Sequence, residues 1–154
     1  MHINLDIVNS RNKLAVKPCK RDDLYQCITA LQNNKIQAIN VGYEVAKYID
    51  SLDDFRYLTI DVEDYLFKLL TNYKFTLPNS TTGISAIYNF GILLEPELKL
   101  NPISIFSSFS KNDILLILWS DLIDDSGILF WEAQRDKYIY DFSETKFKIV
   151  DYEI

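Results

Sequence analysis

A chain of 154 residues that is 48% hydrophobic, 14% aromatic and 25% charged has the size and composition of one folded domain, which excludes disordered and fibrous classes. Its net charge of -6, from 22 acidic and 16 basic side chains, gives an averaged field that repels phosphate backbones and anionic lipid, so direct nucleic-acid binding is disfavoured. A membrane span needs ~18 to 20 consecutive apolar residues, whereas the most continuous run, Ile114 to Trp119, is six residues long.

The opening segment, with Ile3, Leu5, Ile7 and Val8, suggests a short amphipathic helix. Met1-His2-Ile3-Asn4 has neither the basic region nor the apolar run of an export signal, so a cytoplasmic location is expected. Lys13 to Val16 reads as a strand broken by Lys17-Pro18, because proline cannot donate to a ladder. Asp22 then caps a helix in which Leu24, Cys27, Ile28 and Leu31 share one face, and Asn33-Asn34 ends it. Ile36 to Ile39 is a second strand, and Val41, Val45, Tyr48, Ile49 and Leu52 restore helical spacing.

Val62, Tyr65, Leu66, Leu69, Leu70 and Tyr73 form the cleanest helical stripe, and Ile84 to Tyr88 follows as a strand. Asn101-Pro102 opens a helix carrying Ile103, Phe106 and Phe109, with a capping side chain before a proline preset for the first turn. Ile114 to Trp119 is apolar on both alternating faces, the pattern of a central strand covered on both sides. The runs Ile128 to Trp131, Tyr138 to Phe142 and Phe147 to Tyr152 read as antiparallel edge strands. The expected class is therefore α/β, a mainly parallel sheet flanked by helices with a short antiparallel C-terminal portion.

Chemistry-bearing residues are sparse. Cys19 and Cys27, with His2, fall short of the four ligands of structural zinc, so no metal site is expected. The cysteines read as a loop thiol and a buried helix thiol in a reducing compartment. A single histidine near the terminus supplies no base for a nucleophile. The acidic pairs Asp53-Asp54, Glu95/Glu97 and Asp124-Asp125 fall in turns, where carboxylates serve solvation and local hydrogen bonds. No catalytic residue and no cofactor is assigned.

The loop after the first strand, Val16-Lys17-Pro18-Cys19-Lys20-Arg21-Asp22-Asp23, occupies the place where a P-loop would cradle phosphate. Such a loop uses glycines to turn consecutive N–H groups inward, followed by Lys and Ser or Thr. This one contains no glycine, Pro18 removes a donor, and Asp22-Asp23 puts negative charge where phosphate would sit. Lys17, Lys20 and Arg21, the densest basic cluster, are the candidate nucleotide contacts, the bland alternative being a solvated loop. The strand Ile84 to Tyr88 ends at Asn89 rather than at an acid able to hold magnesium, and Asn89 reads first as a turn residue.

The segment Ala86-Ile87-Tyr88-Asn89-Phe90-Gly91-Ile92-Leu93-Leu94-Glu95-Pro96-Glu97-Leu98, with Asn101-Pro102, Ser110-Lys111-Asn112 and Leu118-Trp119, resembles the BrxF-like small P-loop proteins of type 3 BREX phage-defence systems. Ile39 to Val45 is similar to that family's second strand entering a helix. The resemblance spans Ile36 to Phe142 and implies a P-loop NTPase-like fold in a bacterial antiviral defence operon; residues 1–154 are then read as a single such domain, which departs from the family in its degenerate phosphate loop. A fold without its site does not carry the family's activity. The expected function is thus a non-enzymatic protein-interaction subunit whose partners are other defence-system components. The alternative is a weak nucleotide-binding protein or NTPase component with a non-standard phosphate loop. Phe130, Trp131, Tyr138 and Tyr140 are the candidate interaction residues, against a core or edge-strand role for each.

Overall fold

The computed structural model describes residues 5–130 and 139–150. In chain order its elements are α1 (Leu5–Val8), β1 (Leu14–Pro18), α2 (Leu24–Asn33), β2 (Ile39–Asn40), α3 (Val41–Asp50), α4 (Leu58–Asn72), β3 (Phe75–Thr76), β4 (Gly83–Tyr88), α5 (Pro102–Phe109), β5 (Ile114–Trp119), β6 (Leu122–Asp124), β7 (Ile128–Phe130), β8 (Ile139–Asp141) and β9 (Lys148–Ile149). Short 3-10 turns cover Arg21–Asp23, Gly91–Leu94 and Pro96–Leu98. Among the described residues, no helix is long and apolar enough to cross a membrane.

The larger sheet runs in the order β2-β4-β5-β1-β9, all parallel, with β3 antiparallel to the start of β4. Period-two alternation sends its side chains to two separate cores. Leu14, Val16, Ile87, Leu115, Ile117 and Trp119 pack with Val45 of α3, Val62 and Leu66 of α4, and Phe106 of α5. On the opposite face Ala15, Ile84, Ala86, Leu116 and Leu118 meet Leu31 of α2, Ile36 and Ile7. All six residues of β5 are buried, as its unbroken apolar run requires of a strand covered on both faces.

Local chemistry sets the helix ends. Asn40 caps α3 by accepting from the Tyr43 N–H at 3.1 Å, and Asn101 caps α5 by accepting from the Ser104 N–H at 3.2 Å, with Pro102 in the first turn. Asp22 does not cap α2. It lies inside the 3-10 turn Arg21–Asp23, and Asp23 holds the cap position without a side-chain cap bond. Lys17-Pro18 does not break β1 either: both residues pair with Leu118 and Trp119. The partner strand on the other side, β9, pairs only with Ala15 and Val16, so at Pro18 β1 is an edge, where a missing N–H is tolerated, and the ladder to β5 continues through the Cys19 N–H, which donates to the Trp119 carbonyl at 2.8 Å.

The C-terminal portion divides between two sheets. β6, β7 and β8 form a separate antiparallel sheet, whereas β9 returns to pair parallel with β1; the expectation of an antiparallel strand over Phe147 to Tyr152 is corrected accordingly. Leu129 and Tyr140 of the small sheet, and Phe142 just after it, are buried in the α3/α4/α5 core. The Tyr140 hydroxyl donates to the Phe90 carbonyl, which satisfies a polar tip inside an apolar cluster.

Burial pushes the Tyr140 phenol well above its ordinary value. The folded state therefore favours the neutral form. Stability from this group is complete below the unfolded pKa of about 10 and falls as pH rises above it, because the unfolded chain then releases a proton that the folded chain retains. Tyr140→Phe is expected to flatten that alkaline decline, leaving the part due to Tyr48 and Tyr65, whose phenols burial also raises, and to the Cys19 thiol, which burial pushes up to about 12. Near neutrality it costs about 1–3 kcal/mol, since the Phe90 carbonyl loses its buried donor. Denaturant midpoints of both proteins across the alkaline range check the sign.

Candidate functional site

Adjacent strands β1 and β5 send the chain to opposite faces of the sheet. β1 leads into α2 over one core, while β5 leads into the small sheet over the other. The divergence opens a crevice beyond the carboxyl ends of these strands, the place where open α/β sheets bind ligands. Its larger lobe has a volume of about 610 Å³ and is lined by Lys17, Pro18, Cys19 and Lys20 from the β1 exit, Gln26, Cys27 and Ala30 from α2, and Trp119, Ser120 and Asp121 from the β5 exit. A neighbouring lobe of about 490 Å³ shares Trp119, Ser120 and Asp121 and reaches Arg21, Tyr88 and Asn89.

All three basic residues expected from sequence reach this crevice, but in different settings. Lys17 and Lys20 line the larger lobe, and Arg21 borders the smaller one. The Arg21 guanidinium lies 3.7 Å from the Asp121 carboxylate, with Asp121 nearly buried and Arg21 largely in solvent. Asp23 also lines the larger lobe. The crevice therefore sets Lys17, Lys20 and Arg21 against Asp23 and Asp121, in contrast to the concentrated positive field of a phosphate cradle.

Asn89, at the β4 exit, adopts a left-handed backbone with φ of 53°. Its carbonyl accepts from the Gly42 N–H at 2.6 Å, and its side-chain amide donates to Asn40 Oδ1 at 2.8 Å. A side chain at Gly42 would place its first carbon 2.7 Å from the Asn89 carbonyl oxygen, so only glycine permits this approach. The turn role read for Asn89 holds, and its amide clamps the ends of β2 and β4 together.

Sequence reasoning missed Trp119, Ser120 and Asp121 as site residues because nothing local says that β5 neighbours β1. Cys19 is a loop thiol and Cys27 a helix thiol as expected, but the burial is reversed: Cys19 is 5% exposed, while Cys27, expected to be buried, is half-buried. The two sulphurs are 2.6 Å apart on the crevice wall. Burial first, then the hydrogen bond and the charge of Cys27, push the Cys19 thiol up to about 12.

The interaction candidates separate as well. Tyr140 is fully buried and is a core residue, not an interface residue. Phe130 is half-buried on β7, and Trp131 and Tyr138 lie outside the described residues. Among the described residues, no group of three or more His, Cys, Asp or Glu side chains is placed to hold a metal ion. No family model matches the chain, and no curated protein or solved structure matches it.

Proposed function

We propose that this chain is a non-enzymatic protein-interaction subunit built on a P-loop NTPase-like scaffold, with partners among the components of a bacterial phage-defence system. One observation carries the non-enzymatic reading. The crevice lies beyond the carboxyl ends of β1 and β5, where such a scaffold would hold a nucleotide, yet the chain leaving β1 is glycine-free, stiffened by Pro18 and folded into a 3-10 turn containing Asp22 and Asp23. A phosphate group approaching this turn meets carboxylates where a nest of inward N–H groups would be needed. The defence setting draws on the resemblance of the segments around Asn89 and Trp119 to the BrxF-like proteins. Affinity purification from the native host tests it: recovery with operon neighbours supports the reading, and a strictly solitary protein refutes it.

A second reading, nucleotide binding through a non-standard phosphate loop, draws on the placement of Lys17 and Lys20 in the larger lobe of the crevice. Side-chain ammonium groups would then replace the backbone nest. Calorimetry with ATP and with GTP, each with magnesium, separates the two; binding in the micromolar range that Lys20→Ala abolishes would establish the second.

The loop is not expected to support the fold. Replacing Lys17, Lys20 and Arg21 together by alanine should change stability by less than about 1 kcal/mol, because an ion pair with one partner in solvent contributes little. Thermal unfolding of the triple variant measures this directly, so a loss of ligand or partner binding in that variant can be read as a loss of contacts.

A further inference from the structure

The cysteine pair carries an inference independent of the function proposed above. Each sulphur is presented by its own secondary structure. Cys19 follows β1 and is tied to β5 by the 2.8 Å bond from its N–H to the Trp119 carbonyl. Cys27 stands in α2 on the face that packs Leu24, Ile28 and Leu31 into the second core. Two separately anchored backbones thus bring their thiols to 2.6 Å, both free, on the wall of one crevice. We propose that Cys19 and Cys27 are a reversible redox pair, closing under oxidation to an intrachain disulfide that fastens the β1–α2 connection to helix α2 along the crevice wall.

Bond formation brings the sulphurs to about 2.05 Å, a change within the reach of side-chain rotation. Access sets the order of events. Cys27 is partly exposed and Cys19 is buried, so an oxidant entering the crevice meets Cys27 first. Cys19 remains a protonated thiol at neutral pH, held there by burial and by its neighbour, with Lys17 acting in the opposite direction.

With glutathione disulfide as oxidant, the Cys27 thiolate attacks one sulphur and expels a glutathione thiolate, leaving a mixed disulfide on Cys27. Cys19 then attacks the Cys27 sulphur, losing its proton as the bond forms, and the second glutathione leaves. Two protein thiols become one disulfide, and one glutathione disulfide becomes two glutathione thiols. In a reducing compartment the pair rests as the dithiol and closes transiently under oxidative load. Closure links two crevice-lining residues and stiffens the segment that carries Lys20 and Asp23.

The test uses the purified full chain in glutathione buffers of rising disulfide fraction, quenched with acid and tagged with a maleimide. Both thiols are expected to disappear together, with a mass loss of about 2 Da, a Cys19–Cys27 link in the peptide map, and full reversal by dithiothreitol. Amide exchange over residues 19–30 should slow in the oxidised form. Cys19→Ser should hold a persistent glutathione adduct on Cys27, and Cys27→Ser should leave Cys19 unmodified. Free thiols throughout the series, an unresolved adduct in the wild type, or links only between chains would overturn the pairing. An oxidised form whose exchange over residues 19–30 matches that of the reduced form would overturn the fastening of the crevice wall.

Discussion

Phe90→Ala is expected to destabilise the protein by about 3–5 kcal/mol, the cost of removing a buried aromatic ring and leaving a cavity. Phe90 is 1% exposed. Its ring centroid lies 4.9 Å from that of Tyr140, 5.6 Å from Trp119 and 5.7 Å from Phe106. These partners belong to the small sheet, the end of β5 and α5, so one side chain joins three parts of the fold just below the crevice. Edge-to-face pairs of this kind add about 0.5–1.5 kcal/mol beyond burial. The denaturant midpoint should fall with little change in slope, since the native and unfolded surfaces differ only at one site. Phe90→Leu should recover part of the loss by refilling the volume. A midpoint for Phe90→Ala close to wild type would mean that the small sheet is not held by this cluster.

Much of the fold was legible because it rests on short-range periodicity. The apolar stripes of α2, α3 and α4, the Asn101-Pro102 start of α5 and the unbroken run of β5 each have one physical reading. The site was less legible. Lys17, Lys20 and Arg21 were found from local charge, but Asp121 and Trp119 enter the crevice only because β5 lies beside β1, a non-local choice with no spacing signal. Cys19 and Cys27 meet across the 3-10 turn Arg21–Asp23 that joins β1 to α2, and their spacing in the sequence carries no sign of that contact. Tyr140 looked available because alternation in a three-residue strand does not say which face is covered. The small sheet turns Tyr140 inward and leaves Asp141 exposed. Position after β5 hid the role of β9 too, since a strand reached through an antiparallel sheet gives no local sign that it will rejoin the parallel one.

Leu116→Ala is expected to cost about 2–5 kcal/mol, and its neighbours explain why the loss should not be small. Across the sheet Leu116 is flanked in register by Ala15 of β1 and Ala86 of β4, all three on the face beneath α2. Leu116, 4% exposed, is thus a large side chain between two small ones, and removing it leaves alanines on three adjacent strands. Neither flanking residue has a side chain long enough to move into the space, so the cavity persists and its cost adds to the lost transfer energy. For a chain of this size the melting temperature should drop by roughly 5–20 °C, while the triple alanine variant of Lys17, Lys20 and Arg21 melts near wild type. The comparison also bears on the crevice, because α2 supplies one wall through Gln26, Cys27 and Ala30 and is seated on this row. A tolerated Leu116→Ala together with a strongly destabilised loop variant would place α2 elsewhere, and the crevice between β1 and β5 would lose that wall.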